Sequence, residues 1–175
     1  MMDRVMMATD WRTMTPKDIP QVLAVAARVH ADYPEDEAVF QERLRLYPKG
    51  CLILAGKNES ETCSGHGYLI SHPWMDRKIP ALNSLLGALP SQADTYYIHD
   101  LALLPETRGM GHARKLMELL RSAVRDDGYK KLSLVAVHQS ASFWERFGFR
   151  VVRDHQLEEK LRSYDEDARF MSADV

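Results

Sequence analysis

The chain has 175 residues, 45% of them hydrophobic and 27% charged, with a formal net charge of −2 at pH 7. That length suits a single domain over 1–175 with a real core, and the near-neutral balance offers no basic patch of the kind nucleic-acid binders carry. Cys51 and Cys63 are too few for a disulfide scaffold or a zinc site, so no metal is expected. No apolar run approaches the roughly 20 residues of a membrane span, and the Met-rich start lacks the apolar centre of a signal peptide. A cytoplasmic protein with neither a nucleic-acid nor a membrane partner is expected.

Residues 11–14 read as a short first strand. Thr15-Pro16-Lys17-Asp18 then offers an N-cap, a proline at the first helical position and an acid in the first turn. Val22, Leu23, Val25, Ala26 and Val29 follow at helical spacing. Tyr33-Pro34-Glu35 breaks that helix and starts a second, apolar at Val39, Phe40, Leu44 and Leu46, which ends near Pro48-Lys49-Gly50. Residues 51–56 and 65–71 read as antiparallel strands joined by the polar link 57–62, with Cys51 and Cys63 as reduced core residues. His66, between two glycines, reads as an ordinary strand residue. His72-Pro73-Trp74 ends the second of these strands, and a loop of irregular composition runs on to Asp94. Loops of that length are usually functional or mobile. His72 and Trp74 beside it would line a pocket for an apolar amine, although Trp74 reads equally well as a cover for the core edge.

Tyr97-Ile98-His99-Asp100-Leu101-Ala102-Leu103-Leu104 alternates as a strand up to Pro105, which cannot continue a ladder. Alternation puts Tyr97, His99, Leu101 and Leu103 on one face, and Ile98, Asp100 and Ala102 on the other. Arg108-Gly109-Met110-Gly111-His112-Ala113 then leads into a helix running to Val124. Small residues at alternate places let backbone approach a ligand, and a helix start points free N–H groups at it. That is chemistry for a pyrophosphate. The turn lacks the Lys-Ser/Thr of a nucleotide P-loop and the third glycine of a Rossmann turn, and a plain tight strand-to-helix connection is its other reading. Further strands follow at 130–137, from Gly148, and at 168–172, with a charged loop or short helix at 158–167.

Arg-x-x-Gly-x-Ala after a strand closed by Pro-Glu resembles the acyl-CoA pyrophosphate motif of the GNAT superfamily of N-acyltransferases. Ala141-Ser142-Phe143-Trp144-Glu145-Arg146-Phe147-Gly148-Phe149 resembles that superfamily's second motif, in the right order and at the right separation. The resemblance implies an α/β fold with a mixed, mostly antiparallel sheet flanked by helices, and acetyl-CoA or a short acyl-CoA as co-substrate. It assigns Arg108, Gly109, Met110, Gly111, His112 and Ala113 to the pyrophosphate. Leu101, Ala102 and Leu103 would offer backbone to the pantetheine arm, and His138, Phe143 and Trp144 would complete the cofactor site. His138 stands in place of the usual Asn, and Trp144 in place of a tyrosine that commonly protonates the departing thiolate. An indole N–H donates a hydrogen bond but is no practical acid.

His99 falls where many members carry a carboxylate or imidazole that serves the acceptor amine, and histidine titrates near neutrality. Its other reading is a buried histidine bonded to backbone. Tyr97 would orient a water or the acceptor in the same pocket. Asp100, on the opposite face, is expected to be structural, or to hold His99. The first two helices cover the acceptor side in the superfamily, which makes Tyr33 an acceptor contact. The strand sequence, with Ser-His-Pro-Trp before it, is somewhat similar to arylalkylamine N-acetyltransferases. A small primary amine is therefore the expected partner, with a homodimer also compatible. The alternatives are a protein N-terminal or lysine acetyltransferase, and an acyl-CoA sensor that performs no transfer.

Overall fold

The computed structural model of the chain describes residues 9–56, 65–162 and 164–175. The predicted link 57–62 and Cys63 lie outside the described residues. The strands are β1 (Thr9–Thr13), β2 (Cys51–Gly56), β3 (Gly67–Trp74), β4 (Thr95–Leu103), β5 (Lys131–Ala136), β6 (Arg150–Val151) and β7 (Arg169–Asp174). The helices are α1 (Ile19–Val29), α2 (Glu37–Leu46), α3 (His112–Asp126), α4 (Ala141–Glu145) and α5 (His155–Arg162). Among the described residues seven strands form one open mixed sheet in the order β1-β2-β3-β4-β5-β7-β6. Pairings β1–β2, β2–β3, β5–β7 and β6–β7 are antiparallel, and β4–β5 is parallel. This is the α/β class expected from the sequence. The chain divides into two compact units, and β3, β4 and α3 each run from one into the other.

The first unit comprises residues up to 72, with 80–88 and 100–116. Its core joins Val22 and Val25 of α1, Phe40 and Leu44 of α2, Ile53 and Ala55 of β2, Tyr68 and Ile70 of β3, and Ala102 of β4. Burial of each such Val, Ile or Leu contributes about 1.5–3 kcal/mol. The helical spacing of α1 makes that burial possible. Its entry is a 3-10 turn, Pro16–Asp18, where the Asp18 carboxylate accepts from the Thr15 N–H at 2.7 Å and from Arg12 at 2.8 Å. At the other edge of this core β3 meets the end of β4, with the Leu104 N–H donating to the His66 carbonyl at 2.9 Å. A Cβ on Gly67 would stand 2.7 Å from the Ala102 carbonyl oxygen, so a glycine is required for that approach.

The second unit comprises residues 73–79, 89–99 and 117–175. Tyr96, Tyr97 and Ile98 of β4 align with Leu132, Ser133 and Leu134 of β5. A separate cluster of Ile79, Leu157, Leu161, Ala168 and Phe170 forms under α5. The charged stretch after Glu158 thus falls partly on a helix. Leu157 and Leu161, four residues apart, share one buried stripe, and Asp154 accepts the N–H groups of Gln156 and Leu157 at the helix start.

His72-Pro73-Trp74 belongs to β3 itself, and residues 75–94 hold no helix or strand. The stretch is nonetheless tied down within each unit. In the second, Asp76 takes Lys131 at 3.0 Å, and Lys160 donates to the Ile79 carbonyl at 2.8 Å. In the first, Leu86 and Gly87 donate to Glu42.

Candidate active site

The predicted pyrophosphate turn lies in the first unit. After β4 a 3-10 turn, Pro105–Thr107, is closed by the Thr107 hydroxyl donating to the Leu104 carbonyl at 2.8 Å. Gly109 and Gly111 then take φ of +76° and +84°, a left-handed backbone that side chains rarely adopt, and a Cβ built on either meets nothing within 4 Å. The result is an exposed, unobstructed cradle that opens directly into α3. The first N–H groups of a helix have no acceptor of their own within it, and the helix dipole puts positive charge there. β1 fixes the start of α3. The Trp11 indole donates to the His112 carbonyl at 2.9 Å, and Asp10 pairs with Lys115 at 2.7 Å. Burial, with His66 and Lys115 nearby, holds His112 below the usual imidazole range despite the pull of Asp10. Arg108 is exposed, and its Nε donates to the Leu103 carbonyl at 3.2 Å. An open cradle beside a 15-residue helix start fits the pyrophosphate of an acyl-CoA.

In the second unit, Tyr97 and His99 lie side by side on one face of β4. Tyr97 is buried, His99 is half-buried, and their ring centroids are 6.4 Å apart. Strand alternation requires this of residues two apart. The second motif starts with a left-handed pair, His138 at φ +53° and Gln139 at φ +58°. Such backbone costs non-glycine residues energy and clusters at functional sites. His138 is exposed there. On α4, Phe143 is half-buried, while Trp144 is 7% exposed and meets Phe143 and Phe149 edge-on at 5.0 and 5.4 Å. Where the motif commonly has a tyrosine hydroxyl, this chain has a core indole.

The remaining acceptor-side residues are more dispersed. Tyr33 is half-buried, and its N–H donates to the His30 carbonyl at 3.0 Å. His72 is 1% exposed within β3 and belongs to the first unit. Trp74 is half-buried and belongs to the second. Asp100 proves to be part of a partly buried cluster that sequence reasoning missed. Its carboxylate accepts from the Tyr68 hydroxyl and stands 2.8 Å from His30 Nε2. The signal was present in the spacing. Val22, Ala26 and His30 recur every four residues, which extends the apolar stripe of α1 onto an imidazole.

A sequence profile of the acetyltransferase (GNAT) family matches residues 11–149. No curated protein sequence matches the chain. Among solved structures, Ard1 from Thermoplasma volcanium superposes with a TM-score of 0.70 at 16% identity, over 96% of this chain and 98% of that one. The loading GNATL domain of CurA from Lyngbya majuscula gives 0.73 at 12% identity, over 95% and 97%. The ribosomal-protein-S18-alanine N-acetyltransferase from Escherichia coli gives 0.63 at 16% identity, over 95% and 94%. At these identities the likeness is one of fold. No described helix is long and apolar enough to cross a membrane. With its profile match spanning most of the sequence, the chain belongs to the GNAT family of acetyltransferases and is an N-acetyltransferase with acetyl-CoA as its co-substrate.

Proposed function

We propose that this enzyme acetylates the primary amine of a small molecule by direct transfer in a ternary complex, acting as one domain over 1–175. The observation that carries the reading is the pairing of Tyr97 with His99 on β4, in the strand that runs on into the open Gly109–Gly111 turn. Acetyl-CoA supplies the thioester that donates the acyl group. Gly109, Met110, Gly111, His112 and Ala113 hold its pyrophosphate through backbone, and Arg108 adds charge. Leu101, Ala102 and Leu103 offer main-chain groups to the arm and to the reacting carbonyl. An amine is cationic in water and must lose a proton before it attacks. A ring nitrogen of His99 accepts that proton, directly or through a water, and Tyr97 orients the acceptor or that water. Trp144 donates no proton to the departing thiolate, so the thiolate leaves as the anion or takes its proton from solvent.

Anchoring of residues 80–88 supports a small acceptor. Asn83 donates through its backbone to Glu35 and accepts the Asp36 N–H, while Leu86 and Gly87 are bonded to Glu42. A segment held at four points against α2 and the link before it favours a covered pocket over an open peptide groove. The rival acceptor is a protein N-terminus, which the S18-alanine N-acetyltransferase among the similar folds favours. Release of CoA thiol from acetyl-CoA separates the two. A panel of arylalkylamines and polyamines is set against peptides that begin with alanine. Turnover on a small amine supports the proposal, and turnover confined to the peptides contradicts it.

A further inference from the structure

His30 sits at the C-terminal end of α1, where its own N–H still donates to the Ala26 carbonyl at 2.8 Å. Its ring is surrounded by groups that favour a positive charge. Asp100 Oδ1 on β4 is 2.8 Å from Nε2, off the axis of an ideal N–H···O bond, so the contact acts as an ion pair. The ring also donates to the backbone of Leu101, the next residue on β4. Glu35, in the link after α1, adds a second carboxylate within Coulomb range. The carbonyl end of α1 contributes negative partial charge of its own. Tyr68 on β3 bonds the other oxygen of Asp100 and brings no competing cation. Arg28, on α1 itself, is turned to Glu106 at 2.9 Å. Burial opposes the charged ring, but Asp100, Leu101 and Glu35 outweigh it and raise His30 above the usual imidazole range.

This arrangement joins a proton to the main chain of β4. Only the doubly protonated ring can face the Asp100 carboxylate and donate to Leu101 at once, because a neutral imidazole has one N–H. Asp100 has side-chain exposure of only 14%, and a buried carboxylate deprived of its cation is strongly disfavoured. Loss of the proton therefore releases the hold on the middle of the strand. We propose that His30 is a positioning residue for acetyl transfer, its protonated ring clamping β4 at Asp100 and Leu101 so that Leu101–Leu103 present their main chain to acetyl-CoA. The clamp rests on the reading that those three residues receive the acyl-CoA arm. It adds a residue outside the strand that sets the strand's competence, and it ties that competence to pH. The grip is complete below the usual imidazole range and is lost as pH rises through the raised value of His30.

Two measurements on the whole protein test it. The first is an NMR titration of the imidazole nitrogens in wild type and in Asp100→Asn. His30 is expected to titrate above the usual imidazole range in wild type and at lower pH in the variant. A wild-type His30 ring that titrates no higher than an ordinary imidazole overturns the clamp without any folded mutant being needed. The second is calorimetry of acetyl-CoA binding from pH 6.5 to 9.5 in wild type, His30→Gln and His30→Lys. Wild type should lose roughly tenfold in affinity across the titration of His30, the order of one charge-assisted hydrogen bond. His30→Gln should bind as the deprotonated wild type does and lack the step. His30→Lys, which keeps a cation, should recover part of the neutral-pH affinity. Wild type and His30→Gln sharing the same affinity and pH profile would overturn the clamp alone. A wild type that binds no acetyl-CoA at any pH would overturn the acyl-CoA reading of Leu101–Leu103, and the clamp with it.

Discussion

Two acid–base clusters in the first unit, one buried and one partly buried, use the same kind of acid and different bases. On α2, Glu42 pairs with Arg43 at 2.7 Å, with side chains 7% and 1% exposed. Leu86 and Gly87 donate backbone N–H groups to the two Glu42 oxygens at 2.7 and 3.0 Å, and Arg43 donates to the Ser84 carbonyl at 3.2 Å. Arginine never gives up its proton in this setting, so the cluster is a fixed staple for residues 80–88. In the second cluster Asp100 pairs with His30, whose side chains are 14% and 18% exposed. Histidine does give up its proton within the physiological range. A chain that places an untitratable base under a loop and a titratable one against its central strand separates structure from response.

The largest effect should come from breaking the staple. Glu42→Ala leaves Arg43 buried without its counter-charge and two loop N–H groups unmet. It should cost about 3–5 kcal/mol in urea unfolding, and by a similar amount at pH 6 and pH 8.5. A loss that fades at high pH would blur the contrast between the clusters. Next comes Asp100→Asn, which keeps an oxygen for Tyr68 and removes the charge facing His30. Its cost should be about 2 kcal/mol. The sign of its pH dependence follows from the raised His30 value. The stabilisation is fully present below the unfolded imidazole range and disappears as pH rises through the folded value. The variant should therefore differ most from wild type below the usual imidazole range and least once pH has passed the raised folded value, as urea titrations across pH would show. The smallest effect on stability belongs to the glycine turn before α3. At Gly111 a Cβ meets nothing within 4 Å, but Gly111→Val forces a β-branched residue into left-handed backbone, at about 1–2 kcal/mol. Its signature lies elsewhere, as a roughly tenfold weaker acetyl-CoA affinity by calorimetry. Unchanged affinity would remove the turn from the cofactor site.

The sequence spoke most clearly where local backbone rules decide the structure. The turn from Arg108 to Ala113 could be placed because glycines ahead of a helix mark a tight strand-to-helix connection, and the structure gives both glycines positive φ. Tyr97 and His99 could be paired because strand alternation is a local rule. β2 falls at the predicted residues, and the other elements differ by a few residues where ends fray or caps shift. What stayed hidden was side-chain partnership between distant segments. His30 and Asp100 are seventy residues apart in sequence, and nothing local says that the end of α1 meets the inner face of β4. The Glu42–Arg43 staple was hidden for the same reason, since a neighbouring acid and base on a helix ordinarily read as a solvated face. The helical run of His155–Arg162 could be read as a loop because its two inward leucines sit among charges.

The most direct test of the account is the pH dependence of kcat/KM for CoA thiol release with the best small amine, in wild type and in His99→Ala. The account predicts that wild type gains activity as pH rises and a proton acceptor becomes free, and that His99→Ala loses roughly a hundredfold in kcat together with that ascending limb, while acetyl-CoA affinity stays nearly unchanged. A variant with wild-type turnover and the same limb would contradict the role of β4 as the strand that takes the proton.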